Sequence, residues 1–125
     1  MPATDIAAIE AVLQTYFDGL HEGDTAKLDA AFHPCAHLYS DKDGVVQDLP
    51  RDQWFDWVRN RPSAKAQGLA RADRVLMIDQ PGPELAMAKV NCQIPPRYFT
   101  DYLVLLKTQQ GWRIVSKVFR TDTRD

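Results

Sequence analysis

Cysteine is scarce in this chain: Cys35 and Cys92 are the two among 125 residues. That excludes a disulfide-stapled scaffold, and in the cytoplasmic setting expected below the two thiols should stay free. One bridge between them remains open on distance grounds, which sequence does not fix. Long apolar runs are missing, so no stretch is read as a membrane span. Neither charge sign dominates, with 15 Lys and Arg against 17 Asp and Glu and a formal net charge of −2. Such a balance argues against nucleic acid as a partner. Met1-Pro2-Ala3-Thr4-Asp5 carries neither a basic start nor an apolar leader core, so a cytoplasmic location is expected. Internal repeats, low-complexity tracts, glycine-rich phosphate loops, nucleophile elbows and His-Glu-x-x-His patterns are all missing.

What is present has the balance of a globular protein: 45% hydrophobic and 26% charged residues. At this length one domain over 1–125, with a core of its own, is expected. Helical spacing comes first. Ile6, Ile9, Leu13, Tyr16 and Leu20 make one stripe, widened by Val12 and Phe17. Thr4 or Asp5 is placed to cap it and Gly23 to end it. Asp24 can cap a second, shorter helix whose Leu28, Ala31 and Phe32 face one way and which Pro34 stops. His37–Ser40 and Val45–Asp48 flank Asp43-Gly44 as a hairpin. A third helix follows, with Pro50 in its first turn, running to about Asn60 before Pro62. Trp54, Trp57, Val58 and Phe55 are its expected buried face.

From Ala70 onward the spacing changes to that of strands. Arg74–Asp79 is the first, and Gln80-Pro81-Gly82-Pro83 reads as a turn. Residues 85–94 alternate: Ala86, Ala88, Val90, Cys92 and Ile94 fall on one face, Leu85, Met87, Lys89, Asn91 and Gln93 on the other. Pro95-Pro96-Arg97 breaks the run. A long hairpin then closes the chain, residues 98–107 and 112–119 around Thr108-Gln109-Gln110-Gly111. Helices first and a meander of long strands afterwards is an α+β layout.

Two polar residues interrupt that closing hairpin, Asp101 and Lys117. Antiparallel pairing can bring them close. On core strands a carboxylate and an ammonium are costly unless paired or solvated. They mark either a structural ion pair or a polar spot in a cavity.

The order helix-helix-hairpin-helix and then four long strands resembles the nuclear transport factor 2-like superfamily, also called SnoaL-like or the cystatin-like α+β cone. Three pieces resemble more closely the small bacterial proteins of the "Putative lumazine-binding" family. They are Phe32-His33-Pro34 with Ala36, Thr100-Asp101-Tyr102-Leu103, and Gly111-Trp112-Arg113-Ile114-Val115-Ser116-Lys117-Val118-Phe119. The resemblance implies three N-terminal helices on a strongly bent, mostly antiparallel sheet, forming a cone with a pocket. It further implies a small organic molecule in the cone and a homodimer through the outer sheet face. The superfamily hosts isomerases, cyclases, dehydratases and binding modules, so function must be argued from the site.

Within that resemblance Tyr16 and Asp101 look like the oxyanion-hole tyrosine and aspartic acid of ketosteroid isomerase. A neutral buried carboxylic acid and a phenol are the two donors an enolate needs. The general base of that enzyme would fall at Ser40, or at Asp41 with one inserted residue. Lys117 departs from the pattern, because a cation beside Asp101 favours its acceptor form. The plainer alternative is that Tyr16 is a core aromatic and that Asp101 pairs with Lys117 or with backbone.

His33-Pro34-Cys35-Ala36-His37 offers metal ligands by type, but Pro34 disrupts a shared helical face and no second cluster completes a set; the plainer reading is that His33 caps or hydrogen-bonds the helix terminus. No metal and no cofactor are expected. Cys35 follows a helix C-terminus, where the dipole disfavours a thiolate, and Cys92 reads as a small core residue. The weak catalytic candidates are Tyr16, Asp41 and Asp101. The expected ligand wall is Tyr16, Trp54, Asp101, Lys117 and Phe119. Three functions stay open: a non-catalytic small-molecule binder, a cofactor-independent isomerase, cyclase or dehydratase, and a dimerisation module with a filled cone.

Overall fold

The computed structural model describes residues 4–124. Its elements run α1 (Thr4–Glu22), α2 (Thr25–Ala31), β1 (Phe32–Lys42), β2 (Val45–Pro50), α3 (Arg51–Asn60), β3 (Arg74–Gly82), β4 (Leu85–Ile94), β5 (Arg97–Thr108) and β6 (Gly111–Thr123). Six strands form one open sheet in the order β2-β1-β6-β5-β4-β3. Every neighbouring pair is antiparallel except β1 with β6. The helices cover one face of the sheet, giving the expected α+β cone. No helix among the described residues is long and apolar enough to cross a membrane.

The core follows the two periods. Ile9, Leu13, Tyr16, Phe17 and Leu20 of α1 are buried, while Ile6 at the open end is partly in water. On β4 the face Ala86, Ala88, Val90, Cys92 and Ile94 is wholly inward. Small alanines there let the helices lie close to the sheet. The alternate side chains, Lys89 and Asn91 among them, are on the outer face.

Helix ends carry the chain round its corners. Gly23 takes φ 67° after α1. Asp24 Oδ1 then accepts from the backbone N–H of Ala26 at 3.0 Å and of Lys27 at 3.3 Å, capping α2. Asp5 caps nothing; its carboxylate reaches the sheet, accepting from Gln80 Nε2 at 3.1 Å and facing Lys107 Nζ at 3.3 Å. The Thr4 side chain, the other expected cap, lies outside what is described. Arg51 clamps three elements together. Its guanidinium donates to Phe32 O at 2.8 Å, meets Asp29 at 2.8 Å and lies over the Phe55 ring at 4.6 Å. This satisfies a buried cation that opens α3 directly after Pro50, which is the cap residue and not part of the first turn.

Four expectations are corrected. Phe32 and Pro34 belong to β1: α2 already ends at Ala31, and Pro34 sits where the β1–β6 ladder is interrupted between Phe32 and His37. Gln80, Pro81 and Gly82 remain on β3, and the turn is Pro83-Glu84. Proline is tolerated there because β3 is the sheet edge and the ladder is irregular between Asp79 and Gly82. His33 does not bond a helix end; its Nδ1 accepts from the Cys35 backbone N–H at 3.1 Å. Trp57 is 55% exposed, because Trp54, Phe55 and Val58 fill the buried face of α3 and leave Trp57 on its flank.

The segment after α3 returns to the α1–α2 corner, where Lys65 N donates to His21 O at 3.0 Å. A Cβ on Gly23 would lie 2.9 Å from Ser63 Cβ. Gly23→Ala combines that clash with a left-handed backbone, so it should cost about 1–3 kcal/mol in urea unfolding. Gly44→Asn, at φ 85° in open space, should cost under about 1 kcal/mol, because asparagine tolerates that region. Equal losses at both positions would contradict this packing.

Candidate functional site

A β-bulge decides what the cone contains. On β5 the inward residues are Asp101, Leu103 and Leu105. On β6 Trp112 and Ile114 face inward, and simple alternation would then put Ser116 and Val118 inside. Instead the register shifts: Leu105 pairs with Ile114, but Val104 pairs with Ser116, leaving Val115 as the extra residue. The alternation changes phase there. Lys117 turns into the core, 4% exposed, and Val118 turns out to 46%. Lys117 and Asp101 now lie diagonally on the same face of neighbouring strands.

Lys117 Nζ is the hub of the interior. It lies 4.0 Å from Asp101 Oδ2. It also sits over three aromatic rings: 4.8 Å from the centroid of Trp54, 4.8 Å from Phe119 and 5.1 Å from Tyr16. Cation–π attraction offsets part of the ammonium's lost hydration. Among the described residues no hydrogen-bond acceptor takes its N–H groups at closer range.

Asp101 is completely buried. Its Oδ2 accepts from the Tyr16 hydroxyl at 2.5 Å and faces the Cys92 thiol at 3.6 Å. Its Oδ1 has no hydrogen-bond partner among the described residues. Burial, followed by the charge of Asp101, pushes the Tyr16 phenol well above its ordinary value. The same two causes push the Cys92 thiol up. Neither group is a thiolate or phenolate nucleophile at neutral pH. The Tyr16 hydroxyl donates its hydrogen bond to Asp101, so it is not aimed at the cavity in the manner of an oxyanion hole.

The other four expected wall residues therefore converge on Lys117, but the five do not share one surface. Trp54, Lys117 and Phe119 line a cavity of ≈ 140 Å³ at the cone mouth. Tyr16 and Asp101 lie behind Lys117 and do not line it. Next to it a cavity of ≈ 370 Å³ shares Leu38, Leu49, Trp57 and Phe119 with the first. Ser40 lines that second cavity, whereas Asp41 is exposed and lines none of the described cavities. Of the two residues considered for a general base, the one facing the interior is a serine. Asp48 also borders the second cavity, but its carboxylate is paired with His37 Nδ1 at 2.5 Å.

Sequence reasoning missed Arg61 and Arg97, which line the smaller cavity beside Lys117. Arg97 had been read as part of the chain break after Pro95-Pro96, and Arg61 fell unremarked between the helix end at Asn60 and Pro62. Nothing local signals that the end of α3 and the start of β5 meet. Among the described residues no group of three or more His, Cys, Asp or Glu comes together.

The family model described as "Putative lumazine-binding" matches residues 4–120. The chain belongs to that family. Members of the wider nuclear transport factor 2-like fold are close in shape. An NTF2-like protein from Shewanella baltica superposes with a TM-score of 0.85 at 27% identity, covering 99% of this chain and 98% of that one. Another, from Methylobacillus flagellatus, gives 0.84 at 28% identity, covering 98% and 96%. Among curated proteins, Aldolase FrzH from Cladobotryum sp. is 25% identical over 98% of this chain and 95% of its own length.

In this lumazine-binding-family chain the ion pair should behave as a unit. Asp101→Asn or Lys117→Met alone leaves one buried charge behind and should cost about 3–5 kcal/mol. The double variant should lose less than the sum, with a coupling of about 1–3 kcal/mol in urea unfolding. Strictly additive losses would show that the two charges do not support each other.

Proposed function

We propose that this chain binds a small, flat organic molecule at the cone mouth and does not transform it. The observation that carries this reading is the cavity in front of Lys117: aromatic walls, cationic groups and no carboxylate in its lining. Trp54 and Phe119 offer ring faces for stacking, and Lys117 offers N–H donors for a carbonyl. The family description names lumazine, a fused bicyclic heterocycle of that shape. Proton abstraction needs a base within reach of the substrate. Ser40 stands where one would be wanted, and the proton of Tyr16 is engaged by Asp101.

A second reading, an acid–base enzyme acting on a carbonyl compound, is favoured by the full-length similarity to Aldolase FrzH. The two part on one experiment. Lumazine titrated into the chain should shift the indole N–H signals of Trp54 and Trp57 in NMR spectra and leave Trp112 unmoved. Small ketones incubated in deuterium oxide should gain no deuterium beyond the buffer rate. Enhanced α-carbon exchange, lost on Asp41→Asn, would replace the binding reading by the enzymatic one.

The same proposal includes a twofold homodimer through β4, β5 and β6. Met77, Lys89, Tyr102, Val118 and Tyr39 follow one another in register across the outer sheet face. Tyr102 and Val118 are about half exposed, leaving apolar surface that a partner would cover. Light scattering at micromolar concentration should report a dimer, and Val118→Lys should shift it toward monomer. A wild-type chain that is monomeric at that concentration contradicts the assembly.

A further inference from the structure

The smaller cavity is charged on one side only. Arg61, Arg97 and Lys117 line it, and no carboxylate does. Lys117 has Asp101 behind it at 4.0 Å. The two guanidiniums have no such counterpart: among the described residues neither forms an ion pair, and Arg97 only lies over the Phe99 ring at 5.9 Å. Among the other arginines, Arg51, Arg59, Arg71 and Arg124 form ion pairs within the described residues. Arg74 and Arg120 also lack ion pairs among the described residues, but the cavity they share is lined by Asp73 and Asp122 as well, whereas the one lined by Arg61 and Arg97 has no carboxylate.

The pair also works against itself. Burial, then the charge of Arg97, lowers the Arg61 guanidinium from its ordinary value. Like charges brought together at a half-buried site are costly unless an anion joins them. Guanidiniums present forked N–H donors suited to a carboxylate. Next to them the wall is apolar and aromatic, formed by Trp54, Phe99 and Phe119. An anionic head and a flat apolar body fit this division of the surface.

Resting on the binding reading above, we infer that the ligand is a flat aromatic acid, its ring against Trp54 and Phe119 and its carboxylate between Arg61 and Arg97. Arg61 is the C-terminal cap residue of α3 and Arg97 opens β5. The site therefore joins helix and sheet, and an acid bound there ties the two together at the mouth.

The test uses 2-naphthoate and 2-naphthamide, which share a ring system and differ in charge. Affinity is read from the Trp54 and Trp57 indole signals of the full chain. Naphthoate should bind about ten-fold or more tightly than naphthamide, the range expected for a charge-assisted contact. Its affinity should fall with added salt. Arg61→Gln and Arg97→Gln should each weaken naphthoate about ten-fold and leave naphthamide within about two-fold. Retained naphthamide binding doubles as the check that each variant is folded. Equal affinity for the two probes overturns the acid assignment and leaves the binding reading standing. A naphthoate preference that survives both arginine substitutions and disappears in Lys117→Met overturns the assignment of the anion to the arginines. Failure of both probes to move either indole signal defeats the binding reading, and the acid assignment falls with it.

Discussion

An ammonium and a carboxylate are held out of water on neighbouring strands, and the cone is built around that constraint. Each ion, removed from water alone, would cost several kcal/mol. Asp101 meets the cost with the Tyr16 hydroxyl, the Cys92 thiol and the charge of Lys117. Lys117 meets it with Asp101 and the faces of Tyr16, Trp54 and Phe119. Those groups come from α1, α3, β4, β5 and β6. Few arrangements of the elements satisfy all of them together, so the pair fixes how the helices seat on the sheet. It also divides the interior into a buried rear, with Tyr16, Cys92 and Asp101, and a front where Lys117 faces the cavity.

That division bears on function. A ketosteroid isomerase-like constellation requires Tyr16 and Asp101 to present donors to a substrate. Here Tyr16 donates to Asp101, Asp101 accepts, and neither borders the cavity. The groups that do border it are aromatic rings and cations among leucines and Thr121, a set that on the proposed reading holds a ligand without moving its protons. The fold would serve either role, so the orientation of a few side chains carries the distinction.

Much of the architecture was legible from periodicity. The α1 stripe, the Asp24 cap, the inward face of β4 and the closing hairpin follow from spacings of 3.6 and 2 that burial then reinforces. Trp57 was misplaced because three aromatics crowd one α3 turn, and spacing alone does not say which one sits on the flank. The Pro81-Gly82 turn was misplaced because an edge strand tolerates a proline that a central strand rejects. Asp101 and Lys117 were visible as polar interruptions. The Val115 bulge was not, although it alone makes Lys117 internal: a bulge leaves little mark on composition, and a one-residue phase change reverses every side chain after it. Arg61 and Arg97 were invisible for a different reason. They are 36 residues apart at the ends of unlike elements, and only tertiary closure brings them to one cavity.

The hydrogen bond that Tyr16 donates to the buried Asp101 has a direct spectroscopic consequence. The fold favours the neutral phenol, since burial and Asp101 both raise its pKa. Its stabilising contribution is thus complete below the ordinary tyrosine value of about 10 and is lost as pH rises beyond it. The most direct test is a titration of tyrosine Cζ resonances in ¹³C-labelled protein from neutral to alkaline pH, with folding followed in the same samples. Tyr16 Cζ should keep the shift of a neutral phenol for as long as the chain stays folded and change only with alkaline unfolding. A Tyr16 that ionises at or below about pH 10 in the folded chain would contradict it.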